Sequence, residues 1–471
     1  MRLRILQNLR LWRREIRPTL ALALPIMAGM VSQMLMGLTD TIMVGRIGVV
    51  PLAASSFVNG LAHLPLVLGI GLLSAVSVLT AQAYGAKRPA EAGETLRHGL
   101  VLAVALGLFS IVTLAVLHPW RDHFGQDPAV AREAGPYLLL FGVSLLPALV
   151  AQACKQFAEA LKHPWVPTFV MLGGVLLNVL LNWIFIYGHW GVPALGLTGA
   201  GWATMLARLV MALLLVGYVV RAPALRAFQP PRWRAAWQRH HFARLFRVGW
   251  PVGLQHLFEV TAFVLAGLMM GWLSAEAIAS HQIALSCAAF SFMFALGIGA
   301  AGCIRVGHAY GARQFARMRR IGFCAISTSA GVMAGFGVVF ALAGRPIAAL
   351  FIESPAVTAL TAQLLVVAAV FQIADGVQVT SISALRGLSD VRVPAVVAVV
   401  AYWCVALPLG CVLAFRTSLG AVGMWIGLAA GLGAAALGLA WRFHQQTATP
   451  DQHRAKAPLV VETFPEHGAL P

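Results

Sequence analysis

Charged residues are scarce in this chain. They make up 11% of its 471 residues, and only 16 of those residues are Asp or Glu. A soluble globular domain carries about 25% charged residues, so the composition excludes that class. Hydrophobic residues make up 59% of the chain, and the mean hydropathy is +0.81. These values predict an all-α polytopic membrane protein.

Cysteine is also rare, and catalytic motifs are missing. The six cysteines lie mostly in apolar stretches without metal-ligand spacing, which favours free buried thiols. We find no phosphate-binding loop, nucleophile elbow or metalloprotease motif. We therefore expect a protein that is not an enzyme and has no cofactor. A membrane-embedded enzyme is an alternative that would need a cluster of acid, base or nucleophile near one interface.

Apolar segments long enough to cross a bilayer, about 20 residues each, recur along the whole chain. They predict about twelve transmembrane helices. The segments fall at 19–45, 52–83, 96–117, 135–157, 165–187, 197–220, 244–271, 279–305, 321–344, 356–385, 393–415 and 420–441.

Basic residues lie between the spans in an uneven way. If the N-terminus is cytoplasmic, 27 of the 34 Lys and Arg residues fall on the cytoplasmic side and 5 on the opposite side. This positive-inside asymmetry places both termini in the cytoplasm. The net charge of +18 therefore reflects membrane topology, and we expect no nucleic-acid partner.

The two halves of the chain repeat each other. LALPIMAGM at 22–30 aligns with VGWPVGLQH at 248–256, and AYGAKR at 83–88 aligns with AYGARQ at 309–314. Six helices per half predict parallel repeats, which form two pseudo-symmetric lobes suited to alternating access. The predicted parts are a basic cytoplasmic segment 1–18, an N-terminal lobe 19–220, a basic connector 221–243, a C-terminal lobe 244–442 and a disordered cytoplasmic tail 443–471. GIG at 69–71 and at 297–299 is typical of close helix packing.

Three acids remain inside predicted spans: Asp40, Glu259 and Asp375. An ionised group there costs about 2.5–3.5 kcal/mol on insertion scales, so such groups usually line a cavity or an ion path. An acid pair can exchange protons, hold Na⁺ with amide and carbonyl oxygens, or attract an organic cation. Two structural alternatives remain open. The carboxyls can tie helices together by hydrogen bonds, or Arg305 can neutralise one of them as a static ion pair.

Polar side chains accompany the three acids at helical spacing. Gln372 and Gln378 lie three residues on either side of Asp375, and Gln255 lies one turn before Glu259. Asn178 and Asn182 form a polar face in the N-terminal lobe, for which interhelical hydrogen bonding is an equal alternative. Under the repeat, Glu259 corresponds to Gln33, Asp40 to Ala266, and Asp375 to about Ala148. The expected cavity lining is Gln33, Asn178, Asn182, Gln255, Phe371, Gln372 and Gln378.

Several of these stretches together resemble the multidrug and toxic compound extrusion (MATE) family, and most of all its bacterial NorM-type branch. The resemblance runs from about Leu20 to Phe443. It rests on LALPIMAGMVSQMLMGLTDTIMVGR, AQAYGA, LNVLLNWIFIYG, PALGLTGAGWAT, GWPVGLQHLFEVTAF and FQIADGVQVTSISALRGLSD.

The resemblance implies a bacterial inner-membrane pump that exports cationic amphiphilic drugs and dyes in exchange for H⁺ or Na⁺. It assigns Glu259 and Asp375 to the coupling cation, with Na⁺ possible there, and Asp40 to the matching role in the N-terminal lobe. Two positions depart from the family. Phe371 replaces a Tyr of some NorM-type relatives, which favours H⁺, and Asn182 replaces an Asp of archaeal relatives. We expect a monomer in the lipid bilayer. A lipid-linked precursor flippase of the same superfamily is the alternative.

Overall fold

The computed structural model of the protein describes the backbone of residues 2–233 and 236–448, and their side chains from Arg14 onward. Twelve helices in this part of the chain are long and apolar enough to cross a membrane, as predicted. Their bounds are α1 Arg2–Gly45, α2 Val49–Gly85, α3 Pro89–Leu117, α4 Pro128–Ala160, α5 Trp165–Tyr187, α6 Gly196–Arg221, α7 Arg239–Leu273, α8 Ala275–Gly311, α9 Phe315–Ala349, α10 Pro355–Gly387, α11 Arg392–Phe415 and α12 Gly420–Ala448.

Most helices extend beyond the apolar segments that predict them, because polar residues at their ends continue the same helical turns. The first helix begins at Arg2, inside the segment predicted to precede the first span. The seventh begins at Arg239, inside the predicted connector, and the twelfth continues to Ala448. Residues 449–471 of the predicted tail lie outside the described residues.

The eleventh helix is not uniform. It begins as an α-helix, widens into a π-helix over Val400–Ala406 and returns to α-helix at Leu407. A π-helix bonds each residue to the fifth rather than the fourth along the chain, and such segments often occur at functional sites. This segment carries Tyr402, whose hydroxyl is important below.

The two lobes pack on each other through glycines of α2, α7 and α8. A Cβ on Gly71 would lie 2.5 Å from the Cα of Gly253, and one on Gly85 would lie 2.1 Å from the carbonyl oxygen of His308. Gly297 packs on Met27 in the same way. Both GIG stretches are therefore close-packing points, as expected from the sequence. The contact Gly85–His308 lies at the end of the bundle where α1 begins and α12 ends, here called the terminal end, and the contacts of Gly71 and Gly297 lie deeper in the bundle.

Candidate functional site: buried carboxylates in the two lobes

Asp40 of α1 is held by a set of neutral hydrogen-bond donors in the N-terminal lobe. Asn182 of α5 donates its Nδ2 to Oδ1 of Asp40 at 2.6 Å, and the hydroxyl of Thr204 on α6 donates to Oδ2 at 3.2 Å. Asn182 also donates to the Oδ1 of Asn178 at 3.2 Å. Three helices therefore converge on one carboxylate. Asn178 and Asn182 are completely buried, and both of the expected asparagines belong to this site.

A cation of the protein accompanies Asp40. Arg208 lies one turn after Thr204 on α6, and it lines one cavity together with Asp40. Its guanidinium donates to the hydroxyl of Ser144 at 2.7 Å and lies 4.6 Å from the ring centre of Phe141. Intramembrane charges are usually paired, and Arg208 is the candidate counter-charge of Asp40, although its described contacts are with Ser144 and Phe141.

A cavity of about 330 Å³ adjoins this group and is enclosed by helices of the N-terminal lobe. Asp40 and Arg208 both line it, together with the predicted cavity residue Gln33. Its other walls are mostly apolar and include three methionines, Met36, Met171 and Met211. A second cation, Lys155, also lines the cavity and lies 3.9 Å from the carboxylate of Glu159. Flexible thioether side chains adapt to ligands of different shapes.

The repeat relates this cavity to the opposite lobe. Gln33 and Ala148, which correspond to Glu259 and approximately to Asp375, both line the N-terminal cavity. The counterpart of Asp40, Ala266, is completely buried in the core of the C-terminal lobe. The two lobes therefore use equivalent helices but place their carboxylates at different positions.

In the C-terminal lobe, Glu259 of α7 meets the π-helical segment of α11. The hydroxyl of Tyr402 lies 2.9 Å from Oε1 of Glu259 and 3.3 Å from Oε1 of Gln378, with Tyr402 as the donor to both. Nδ1 of His256 lies 3.7 Å from Oε2 of Glu259. The Tyr402 hydroxyl therefore connects three helices, α7, α10 and α11, whereas at Asp40 the carboxylate itself makes the connections.

Asp375 lies beside this network on α10. It is 5% exposed, and Gln378, three residues after it on the same helix, accepts from the Tyr402 hydroxyl that also contacts Glu259. Gln372, one turn before Asp375, is completely buried, and neither atom of its amide has a hydrogen-bond partner among the described residues. A buried amide without partners usually marks an unseen water or ion. The polar stripe predicted around Asp375 is therefore present, and part of its hydrogen-bonding capacity is unused.

The positions of two arginines test whether a span acid is neutralised by Arg305 in a static ion pair. Arg305 donates to the Glu15 carboxylate and to the hydroxyl of Thr19, both on α1. The interpretation that Arg305 neutralises one of the three span acids is therefore wrong. The cation near Glu259 is Arg386, which donates to Oε1 of Gln255 at 3.1 Å. The predicted residue Gln255 thus holds an arginine.

Phe371 lies in the packed core. Its ring centre is 5.5 Å from that of Trp425 and 6.3 Å from that of Phe263. A different tyrosine hydroxyl is present at the site, that of Tyr402 on α11, which contacts Glu259.

Sequence reasoning missed Thr204, Arg208 and Tyr402. A signal for Arg208 was present, since it is a cation in the middle of the sixth predicted span. Thr204 and Tyr402 carry no comparable signal, because a lone hydroxyl in a span usually bonds its own helix. Among the described residues, no group of three or more His, Cys, Asp or Glu can hold a metal ion.

Comparison with known protein families and relatives agrees with this architecture. The sequence profile of the MatE family matches the chain twice, at residues 25–184 and 251–412. The second match begins 226 residues after the first, the same shift that aligns Pro25 with Pro251. The duplication predicted from the sequence is therefore confirmed.

Relatives of this chain are multidrug resistance proteins. A probable multidrug resistance protein NorM of Mesorhizobium japonicum is 38% identical over 456 residues, covering 93% of this chain and 96% of the relative. Multidrug resistance protein NorM of Burkholderia vietnamiensis is 35% identical over 437 residues, covering 92% of this chain and 94% of the relative.

Solved structures share the fold. An outward-facing multidrug resistance MATE family transporter superposes with a TM-score of 0.85 at 21% identity, covering 93% of this chain and 96% of that one. A eukaryotic MATE transporter superposes with a TM-score of 0.81 at 21% identity, covering 95% of this chain and 100% of that one.

Proposed function

The chain belongs to the MatE family and is a multidrug efflux transporter, and from that premise we propose that it exchanges cationic amphiphilic drugs for H⁺. In this proposal Glu259 and Asp375 form the main coupling site. The membrane is the bacterial inner membrane, both termini are cytoplasmic, and the protein works as a monomer. Na⁺ is the competing coupling ion.

The observation that carries the proposal is a pair of acids on α7 and α10 that are connected through Tyr402. Asp375 is almost completely buried, and Gln378, one turn after it on α10, shares the Tyr402 hydroxyl with Glu259. Two such acids attract a cation strongly, and an organic cation and a coupling ion compete for the same negative charge. That competition links the export of one to the import of the other.

Hydrogen bonding around the pair favours H⁺ over Na⁺. Tyr402 donates its hydroxyl hydrogen to Oε1 of Glu259 and so occupies one of the carboxylate lone pairs that would otherwise coordinate Na⁺. Position 371 is a packed phenylalanine and offers no further oxygen. A proton needs only one carboxylate oxygen and its hydrogen-bond partners, so this environment suits it better.

The N-terminal cavity is proposed as a binding region for the drug. It combines the Asp40 carboxylate with adaptable methionine walls. Arg208 offsets part of the charge of Asp40, which reduces the attraction for a small inorganic cation and leaves more of the binding to apolar contacts.

Packing of the lobes supports a state that is closed on the cytoplasmic side. With the termini cytoplasmic by the positive-inside rule, the contact Gly85–His308 joins the lobes at that side, and Gly71–Gly253 joins them deeper in the bundle. Alternating access then requires these contacts to separate.

The test is dye efflux from proteoliposomes with a Na⁺ gradient or a pH gradient imposed separately. The proposal expects export with the pH gradient alone, and expects Asp375→Asn to abolish it. Asp122→Asn, a change at an exposed acid outside the sites, is the control. Export driven only by Na⁺ would overturn the choice of H⁺. Full export by Asp375→Asn would overturn the assignment of the coupling site.

A further inference from the structure

A second and larger cavity, of about 880 Å³, lies at the terminal end between the two lobes. Its walls come from α1, α2, α5, α8 and α9, and from the 3₁₀ turn Pro223–Phe228 of the connector. It shares no lining residue with the N-terminal cavity, and it contains none of the coupling acids.

Every charged residue that lines this cavity is basic: Lys87, Lys162, Arg305 and Arg317. The carboxylate of Glu15 binds both arginines, with a distance of 3.1 Å to Arg317. Neither lysine is within ion-pair distance of a described acid. The ammonium of Lys162 lies instead 5.0 Å from the ring centre of Tyr84. The cavity therefore has an excess of positive charge that no described side chain neutralises.

The two lysines share a left-handed backbone. Lys87 follows α2 with φ of 57°, and Lys162 follows α4 with φ of 66°. Arg313 after α8 and Ser389 after α10 have the same conformation without lining the cavity. The conformation therefore belongs to these helix ends in general, and the case for a ligand depends on the charges of the cavity.

The rest of the wall is apolar. Leu22, Trp165, Phe228 and Ile321 line the cavity beside the basic groups. A ligand that fits must combine a negative group with hydrocarbon. Basic pockets between transmembrane helices on the cytoplasmic side bind the head groups of acidic lipids.

We propose that this basic interlobe cavity binds the phosphate head group of an acidic phospholipid, with Lys87 and Lys162 contacting the phosphate and the apolar wall contacting the first part of an acyl chain. Because both lobes line the cavity, the lipid would bridge them in the present conformation. The proposal is independent of which ion drives efflux.

The experiment measures lipid binding to delipidated full-length protein by native mass spectrometry. Phosphatidylglycerol is compared with phosphatidylcholine of identical acyl chains. Wild-type protein is expected to retain phosphatidylglycerol preferentially. The double variant K87Q/K162Q is expected to bind it with an affinity that is lower by about tenfold or more. Both lysines are exposed, so the variant is expected to fold, and its thermal unfolding without lipid checks this.

The matched control is R313Q/R392Q. Arg313 also has a left-handed backbone, with φ of 55°, after α8. Arg392 begins α11 at the same end, and neither arginine lines the cavity. The control is expected to bind lipid as the wild type does.

Three results would overturn the proposal. Unchanged phosphatidylglycerol binding by K87Q/K162Q would exclude the cavity. An equal loss in R313Q/R392Q would attribute binding to general surface charge. Glycerol 3-phosphate that competes as well as the intact lipid would identify a site for a soluble phosphate.

Discussion

Tyr402 donates its hydroxyl to Oε1 of Glu259 at 2.9 Å, and this hydrogen bond joins the π-helical part of α11 to α7. The neighbouring Trp403 donates its indole N–H to the carbonyl oxygen of Phe258 at 3.2 Å. Two successive residues of the π segment thus attach to two successive residues of α7. The wider helical turn matters because it changes the direction in which these side chains point.

The first prediction concerns this hydroxyl. Tyr402→Phe keeps the buried ring and removes the donor to Glu259. A hydrogen bond to a charged group contributes about 1.5–3 kcal/mol, so we expect roughly a tenfold or greater loss in pH-driven efflux by reconstituted protein.

The matched control is Tyr187→Phe, which removes a hydroxyl that donates to the backbone carbonyl oxygen of Met43 at 2.9 Å. Its hydrogen bond does not involve an acid, and efflux should stay near wild type. Equal efflux by both variants would exclude a role for Tyr402 in coupling.

The second prediction concerns the other acid of the pair. Glu259→Gln keeps the size and the hydrogen bond from Tyr402 but removes the charge that interacts with Asp375. Competition between drug and coupling ion needs that charge, so dye binding should lose its dependence on pH. Binding would be measured by fluorescence anisotropy across pH 5–8, the range in which physiological switches operate. An unchanged pH dependence would contradict the assignment.

The third prediction tests whether Arg208 is the counter-ion of Asp40. Each single change, Asp40→Asn or Arg208→Gln, leaves one charge without its partner and should lower the unfolding temperature. The double variant removes both charges. We expect it to be more stable than the sum of the single effects by roughly 0.5–3 kcal/mol.

The comparison would use thermal unfolding of the four proteins in the same detergent. Strictly additive effects would mean that Arg208 is held by Ser144 and Phe141 without a charge interaction with Asp40.

The fourth prediction concerns contact between the lobes. Gly71→Ala places a Cβ 2.5 Å from the Cα of Gly253, so backbone must shift. Overpacking costs about 1–3 kcal/mol, and the closed terminal end should loosen, with slower efflux and wider spin-label distances between α2 and α7.

Gly60→Ala on the same helix is the control, because a Cβ there meets nothing within 4 Å. That change should raise helix stability by up to about 1 kcal/mol and leave efflux unchanged. Gly→Ala is therefore expected to lower the stability of the protein at position 71 and to raise it at position 60. A stability change in the same direction at both positions would contradict the close packing of Gly71 on Gly253.

The sequence by itself determined the class of protein, its twelve spans and its duplication. Each of these follows from a pattern that is visible in the order of the residues. A span needs a long apolar run, and a duplicated lobe leaves matched residues such as Pro25 and Pro251 at a constant shift. The isolated acids were also evident, since a carboxylate in such a run is rare.

Only the tertiary structure decided which groups accompany each acid. Arg305 seemed available to a span acid, yet it binds Glu15 near the terminal end. Arg208 and Asp40 line one cavity because α6 packs near α1, and Tyr402 reaches Glu259 from the π-helical turn of α11. Such contacts join residues more than 140 positions apart, and helical periodicity relates only residues within a few turns of one helix. The partners of the carboxylates are therefore fixed by helix packing.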